Sequence, residues 1–124
     1  MPTHEIINYI ELPSRDLVAT KAFFERCFGW RFKDYGPDYM AFDDVGLDGG
    51  FYKSESIART ESGSALVVLS SERLEETLAK VEAAGAQILK PIFSFPGGRR
   101  FHFAEPGGSE LAVWSDAGQS SEPN

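Results

Sequence analysis

Apolar and polar positions alternate like a strand in some stretches of the chain and recur like a helix face in others, and the order of the two patterns repeats. Ile10 and Leu12 alternate with Tyr9 and Glu11; Leu17, Phe24 and Phe28 then follow at helical spacing up to Gly29. Further along, Val67 and Leu69 alternate with Leu66, Val68 and Ser70, and Leu74, Leu78 and Val81 recur helically before Gly85. Leu17 is matched by Leu74, 57 positions on. Acidic residues gather at both predicted helix starts, Asp16 in the first and Glu72, Glu75 and Glu76 in the second, where they oppose the positive end of the helix macrodipole. After each helix come three short strand-like pieces: Trp30–Asp34, Tyr39–Asp43 and Gly49–Lys53, then Gln87–Lys90, Arg99–Ala104 and Glu110–Ser115. The pattern predicts an α+β domain over residues 1–116, built of two βαβββ units, 6–53 and 65–116. The polar, non-periodic stretch 54–64 is expected to be an exposed linker and 117–124 a disordered tail.

A unit with one amphipathic helix leaves the other face of its sheet half-covered, so two units must pair, and their curved mixed sheet is expected to enclose a concave cup. By strand alternation Ile10, Leu12, Val67, Leu69, Leu111 and Val113 suit the helix side. That puts Tyr9, Glu11, Leu66, Val68, Glu110, Ala112 and Trp114 in the cup.

Composition narrows the partners. With 42% apolar and 25% charged residues, and ten Phe, four Tyr and two Trp, the 124 residues can fill a core without disulfides. The single Cys27 sits among Phe23, Phe24 and Phe28 and reads as a small buried hydrophobe. Nineteen acidic against twelve basic side chains give a net charge of −7 with no basic stripe, which speaks against nucleic acid. The longest apolar run, Ala65–Leu69, falls far short of the ~18 residues a membrane span needs, and MPTHEIINYI resembles no signal segment, so a cytoplasmic protein without membrane contact is expected.

Several side chains are candidates for chemistry. Glu11 and Glu110 are carboxylates in an otherwise apolar cup, where burial can tune an acid or base, and His102, on one strand face with Arg100, is the candidate for proton transfer near neutrality. Pro96-Gly97-Gly98 followed by Arg99 and Arg100 could clamp an anionic group. Tyr9, Tyr39, Phe42, Ala112 and Trp114 are expected to line the cup with Arg100 and contact a flat small-molecule ligand.

The paired layout resembles the vicinal oxygen chelate superfamily, which includes glyoxalases, bleomycin-resistance proteins and extradiol dioxygenases. The resemblance is carried by Glu11, Pro13, Asp16, Leu17, the Phe23–Phe24 pair and the Phe28-Gly29-Trp30 stop. In the second half it is carried by Gly85, Pro91, Pro96-Gly97-Gly98 and the closing turn Glu105-Pro106-Gly107-Gly108-Ser109. It implies a homodimer and, in the family's enzymes, a divalent ion held by His, Gln or Glu on the first and last strands of each unit. Those positions fall here on Tyr9, Leu66, Ala112 and the stretch Gly49-Gly50-Phe51, none of them an expected ligand. The implied function is a glyoxalase- or bleomycin-resistance-like protein that binds a small organic molecule in a metal-free cup, with no cofactor and with room for metal-independent acid–base catalysis. The alternative is a metal-dependent lyase or dioxygenase with displaced ligands such as Glu11, His102 and Glu110.

Overall fold

The computed structural model describes residues 4–116. The first unit runs β1 (Tyr9–Ser14), α1 (Leu17–Phe28), β2 (Phe32–Asp34), β3 (Tyr39–Phe42) and β4 (Asp48–Lys53). The second runs β5 (Val67–Ser70), α2 (Leu74–Ala83), β6 (Gln87–Phe95), β7 (Gly98–Ala104) and β8 (Glu110–Asp116). Each unit folds into a four-stranded mixed sheet, ordered β1-β4-β3-β2 and β5-β8-β7-β6. The first strand pairs parallel with the last and the remaining pairs are antiparallel.

The internal repeat extends to single atoms at the strand-to-helix junctions. Ser14 Oγ accepts the Asp16 N–H and bonds the Thr20 hydroxyl at 2.7 Å; 57 residues on, Ser71 Oγ accepts the Arg73 N–H and bonds the Thr77 hydroxyl at 2.7 Å. Each hydroxyl pair satisfies backbone donors that a helix start leaves without intrahelical partners. At the other end of α1, Gly29 takes the left-handed conformation (φ 71°) and its N–H closes the last turn.

One apolar core joins the two units. Leu12, Phe24, Met40, Phe42 and Phe51 from the first unit and Leu74, Val81, Phe101, Phe103, Leu111 and Val113 from the second belong to a single buried cluster, and Phe23 of α1 meets Phe103 of β7 at 5.8 Å. The closing turn of the second unit is bolted onto the β1–α1 junction of the first. The Arg15 N–H donates to the Gly107 carbonyl (2.9 Å), the Ser109 hydroxyl to the Pro13 carbonyl (2.7 Å) and the Thr20 hydroxyl to the Glu105 carboxylate (2.7 Å). A Cβ at Gly107 would overlap the Ser14 and Thr20 hydroxyls, so this approach requires glycine.

Three expectations change. The stretch 54–64 is not an exposed tether: Ala58 is buried, Thr60–Ser62 forms a 3₁₀ turn, and the segment docks on β8 through Glu110 N–H to the Ala58 carbonyl (2.7 Å). Its polar composition suggests a solvated stretch, yet Arg59 donates to the Gly108 carbonyl and Thr60 to the Glu110 carboxylate, while Glu55, Ser56, Glu61 and Ser62 stay exposed. Strand β6 continues past Lys90 through Pro91 to Phe95, because it is an edge strand where proline removes no needed donor; its pairing with β7 is irregular between Ile88 and Phe93. Trp30 lies before β2 and stacks on Phe24 at 4.6 Å. The tail 117–124 lies outside the described residues. No described helix is long and apolar enough to cross a membrane.

Candidate functional site

The sheet faces turned away from the shared core carry most of the predicted site residues, distributed over two sets. On the first sheet, Tyr9 and Glu11 of β1 and Tyr39 of β3 share a face across β4. The Tyr9 and Tyr39 hydroxyls meet at 2.5 Å. Tyr39 reaches across β4 because a Cβ at Gly50 would overlap its hydroxyl, so glycine there lets the ring lie flat on the sheet. Burial, with hydrogen bonding to Tyr9 and Glu11, holds the Tyr39 phenol protonated well above the ordinary phenol range. Beside it an open depression of about 590 Å³ is lined by Tyr9, Lys33, Tyr35, Tyr39 and Asp48 among others.

On the second sheet, β7 and β8 place His102 opposite Ala112 and Arg100 opposite Trp114, while β6 adds Phe93 opposite Arg100. The Arg100 guanidinium lies over the rings of Phe93 (5.3 Å) and Phe95 (5.1 Å), and Phe95 in turn approaches Trp114 (6.4 Å). Beneath this aromatic–cation layer, His102 is 2% exposed and its Nδ1 stands 2.6 Å from Glu110 Oε2. The other Glu110 oxygen accepts the Thr60 N–H at 2.7 Å, and the Thr60 hydroxyl donates to both. Burial alone would raise the Glu110 pKa, but the hydrogen bonds from His102 and Thr60 outweigh it and hold the carboxyl below the usual range. An ionised carboxylate only accepts, so His102 donates from Nδ1 and turns Nε2 outward from the pair. Nε2 is buried and meets no hydrogen-bond partner, and the same holds for Arg100 Nε.

Strand parity and position sort the predicted residues. Phe42 borders the same depression as Tyr9 and Tyr39, but it does so from the core: it is 5% exposed, with its ring 5.0 Å from Trp30 and 5.9 Å from Phe51. Arg99 and Arg100 do not form one clamp, since neighbours on a strand point apart; Arg99 is held by Glu75 of α2 through contacts of 2.6 and 3.1 Å. Glu11 and the His102–Glu110 pair do not converge: no hydrogen bond or ring contact links the two sets among the described residues, and no group of three or more His, Cys, Asp and Glu could hold an ion.

The residues at the positions where the resemblance implies a divalent ion do not fit one either. Tyr9 offers a phenol already bonded to Tyr39, and Leu66, Ala112, Gly49, Gly50 and Phe51 offer no side-chain donor atom. Thr60, Phe93 and Phe95 were not singled out in the sequence. For the two phenylalanines a signal was present: Pro96 and Gly97 have the order of a type II turn, Gly97 has φ 111°, and a two-residue turn sets Phe95 and Phe93 opposite Gly98 and Arg100.

Two βαβββ units on one core, with aromatic faces turned outward and a buried ionisable pair under one of them, define an α+β domain of paired units. The chain belongs to the Glyoxalase/Bleomycin resistance protein/Dioxygenase superfamily, whose family model matches residues 6–113. No curated protein matches it. Among solved structures it is similar to a glyoxalase-related enzyme from Fulvimarina pelagi (23% identity, TM-score 0.73, covering 90% of this chain and 88% of that one). It is also similar to the bleomycin resistance determinant encoded on transposon Tn5 (22%, 0.65, 90% and 98%) and to a genomically encoded fosfomycin resistance protein from Listeria monocytogenes (20%, 0.73, 94% and 95%). At these identities the likeness concerns the fold.

Proposed function

We propose that the protein binds a small organic molecule without a bound metal, on the face formed by Arg100, His102, Trp114, Phe93 and Phe95, with the His102–Glu110 pair able to exchange a proton with it. The observation that carries this reading is the buried, unpartnered His102 Nε2 beneath an aromatic layer, an arrangement whose polar atom is held ready at a cost unless a ligand meets it. Metal independence is supported by the donor chemistry of Tyr9, Leu66 and Ala112. The similarity to a bleomycin resistance determinant fits a binding role, and the hydrogen-bonded His–Glu pair fits acid–base catalysis.

We further infer a homodimer, because Tyr9 and Tyr52 on the open face of the first sheet and Val68 on edge strand β5 are each 40% exposed or more. Sedimentation velocity at micromolar concentration should give twice the chain mass; a single-chain mass overturns it.

The test of the binding reading pairs a melting-temperature screen of small aromatic compounds with the same screen of Ni, Zn, Mn, Fe(II) and Mg. Organic ligands should raise the melting temperature by several degrees, and Trp114→Ala should abolish the rise. A shift of several degrees with one ion, or stoichiometric metal in untagged protein purified without chelator, overturns the metal-free reading.

A further inference from the structure

Two unpartnered buried nitrogens stand two residues apart on one face of β7, Arg100 Nε and His102 Nε2. Such atoms are rare in folded proteins, because removing a donor or acceptor from water without a partner costs the full desolvation of that group. Here both occur on one strand face, each in a side chain that is already held from another side. His102 Nδ1 is bound to Glu110, and the Arg100 guanidinium plane is stacked on Phe93 and Phe95. The edge strand across from them loses its regular pairing at this level, between Lys90, which faces His102, and Phe93, which faces Arg100. Irregular pairing on an edge strand is where a sheet most readily gives way.

We propose that this face takes an organic carboxylate that also carries a hydroxyl or N–H group: the carboxylate sits on Arg100 Nε–H, and the second group donates to His102 Nε2. The chemistry follows from the two atoms. Arg100 Nε can only donate and carries positive charge, so it selects an anionic oxygen. His102 Nδ1 donates to an ionised Glu110, so in the neutral ring Nε2 is a lone pair and selects a donor. Glu110 is the positioning residue that fixes this tautomer, and Thr60 holds Glu110 in turn. Phe93, Phe95 and Trp114 favour a flat, conjugated skeleton beside the two polar groups. Because both nitrogens are closed from solvent, binding displaces the Phe93 and Phe95 rings from Arg100 along the irregular edge of β6.

This inference deepens the binding reading above and rests on it, so its test separates the two. Calorimetric titrations would compare salicylate, which carries both groups, with benzoate, which lacks the hydroxyl, and benzamide, which lacks the charge, together with the naphthalene homologue of each. Salicylate or its naphthalene homologue should bind at least tenfold tighter than the matching benzoate, and the amides weakest of all. Arg100→Met, which keeps an apolar stem over the phenylalanines, should abolish the preference for carboxylate over amide. His102→Asn, which retains a donor near Glu110 but removes Nε2, should remove the hydroxyl-dependent increment, so that salicylate and benzoate bind it alike. Circular dichroism and melting of both variants would confirm that they fold. Equal binding of carboxylates and amides, or an unchanged salicylate-to-benzoate ratio in His102→Asn, overturns this inference while leaving small-molecule binding standing. Absence of binding by every carboxylate alongside binding by neutral compounds in the melting screen overturns the inference alone. Absence of binding in both experiments overturns the two readings together.

Discussion

Glu105 and Glu110 stand at the two ends of one turn, both nearly excluded from water, and their surroundings act on their charge in opposite senses. Burial dominates at Glu105 and raises its pKa, although the Thr20 hydroxyl and the backbone of Gly107 and Ser109 partly compensate. At Glu110 the hydrogen bonds win and the pKa falls. A folded pKa above the unfolded value of ~4.3 makes Glu105 contribute stability below that value and lose it as pH rises through the raised one. A lowered pKa makes Glu110 contribute above ~4.3 and lose it as pH falls through the lowered one. Glu105→Gln should therefore leave stability at pH 8 equal or higher, its amide oxygen replacing Oε1 toward Thr20 and Gly107. Glu110→Gln should lose about 2 kcal/mol at pH 7, shrinking towards pH 3, because it removes the buried carboxylate that accepts hydrogen bonds from His102 and Thr60. Urea unfolding at pH 3, 5, 7 and 8 reads both, and parallel pH profiles for the two variants would refute the assignment.

The helices differ at equivalent positions. Asp16 caps α1, its Oδ1 accepting the Ala19 N–H at 3.1 Å, whereas Arg73 occupies the N-cap of α2 with no side-chain capping bond to a backbone N–H. Asp16→Ala should cost about 1 kcal/mol and Arg73→Ser should gain ~0.5 kcal/mol or more, the exposed Arg73–Glu76 ion pair being worth little. Opposite melting-temperature shifts of a few degrees would bear this out, and a loss in Arg73→Ser would contradict it. The repeat, both helices and the helix-facing residues of the first and last strands were legible in the sequence because they follow from periodicity and from Gly29 and Gly85, which local physics dictates. Phe42 borders the depression with Tyr39 yet packs mainly into the core, and its odd separation from Tyr39 along one strand is the sign of that double position. Pro91 was read as a strand end because nothing local says that β6 is an edge. The Ala58–Thr60 dock was hidden for a related reason: it is made by backbone groups and one hydroxyl, and polar residues without periodicity look the same whether they face water or a neighbouring turn. His102 and Glu110 were both placed in the cup, but only the register of β7 on β8 joins them.

At the scale of the whole chain, the repeat suggests two modules and the packing contradicts modular independence. Phe101 and Phe103 of the second unit are fully buried in a cluster shared with Leu12, Phe23 and Phe51 of the first, and the closing turn draws hydrogen bonds from Arg15 and Thr20. Glu110, the charge beneath the proposed ligand face, depends on Thr60 from the connection between units. Removing the first unit would expose those phenylalanines and strip Glu105 of the Thr20 hydroxyl, at several kcal/mol against a total that for a domain this size is only about 5–15 kcal/mol. The chain should therefore unfold in one transition, with calorimetric and van 't Hoff enthalpies equal and with Trp fluorescence and far-ultraviolet circular dichroism coincident. A fragment spanning 65–116 should lack a cooperative melt, and adding a 1–64 fragment should restore one. Two separated transitions, or a 65–116 fragment that melts cooperatively alone, would mean that the shared core is an interface between finished modules, and the His102–Glu110 pair would then have to hold its geometry without Thr60.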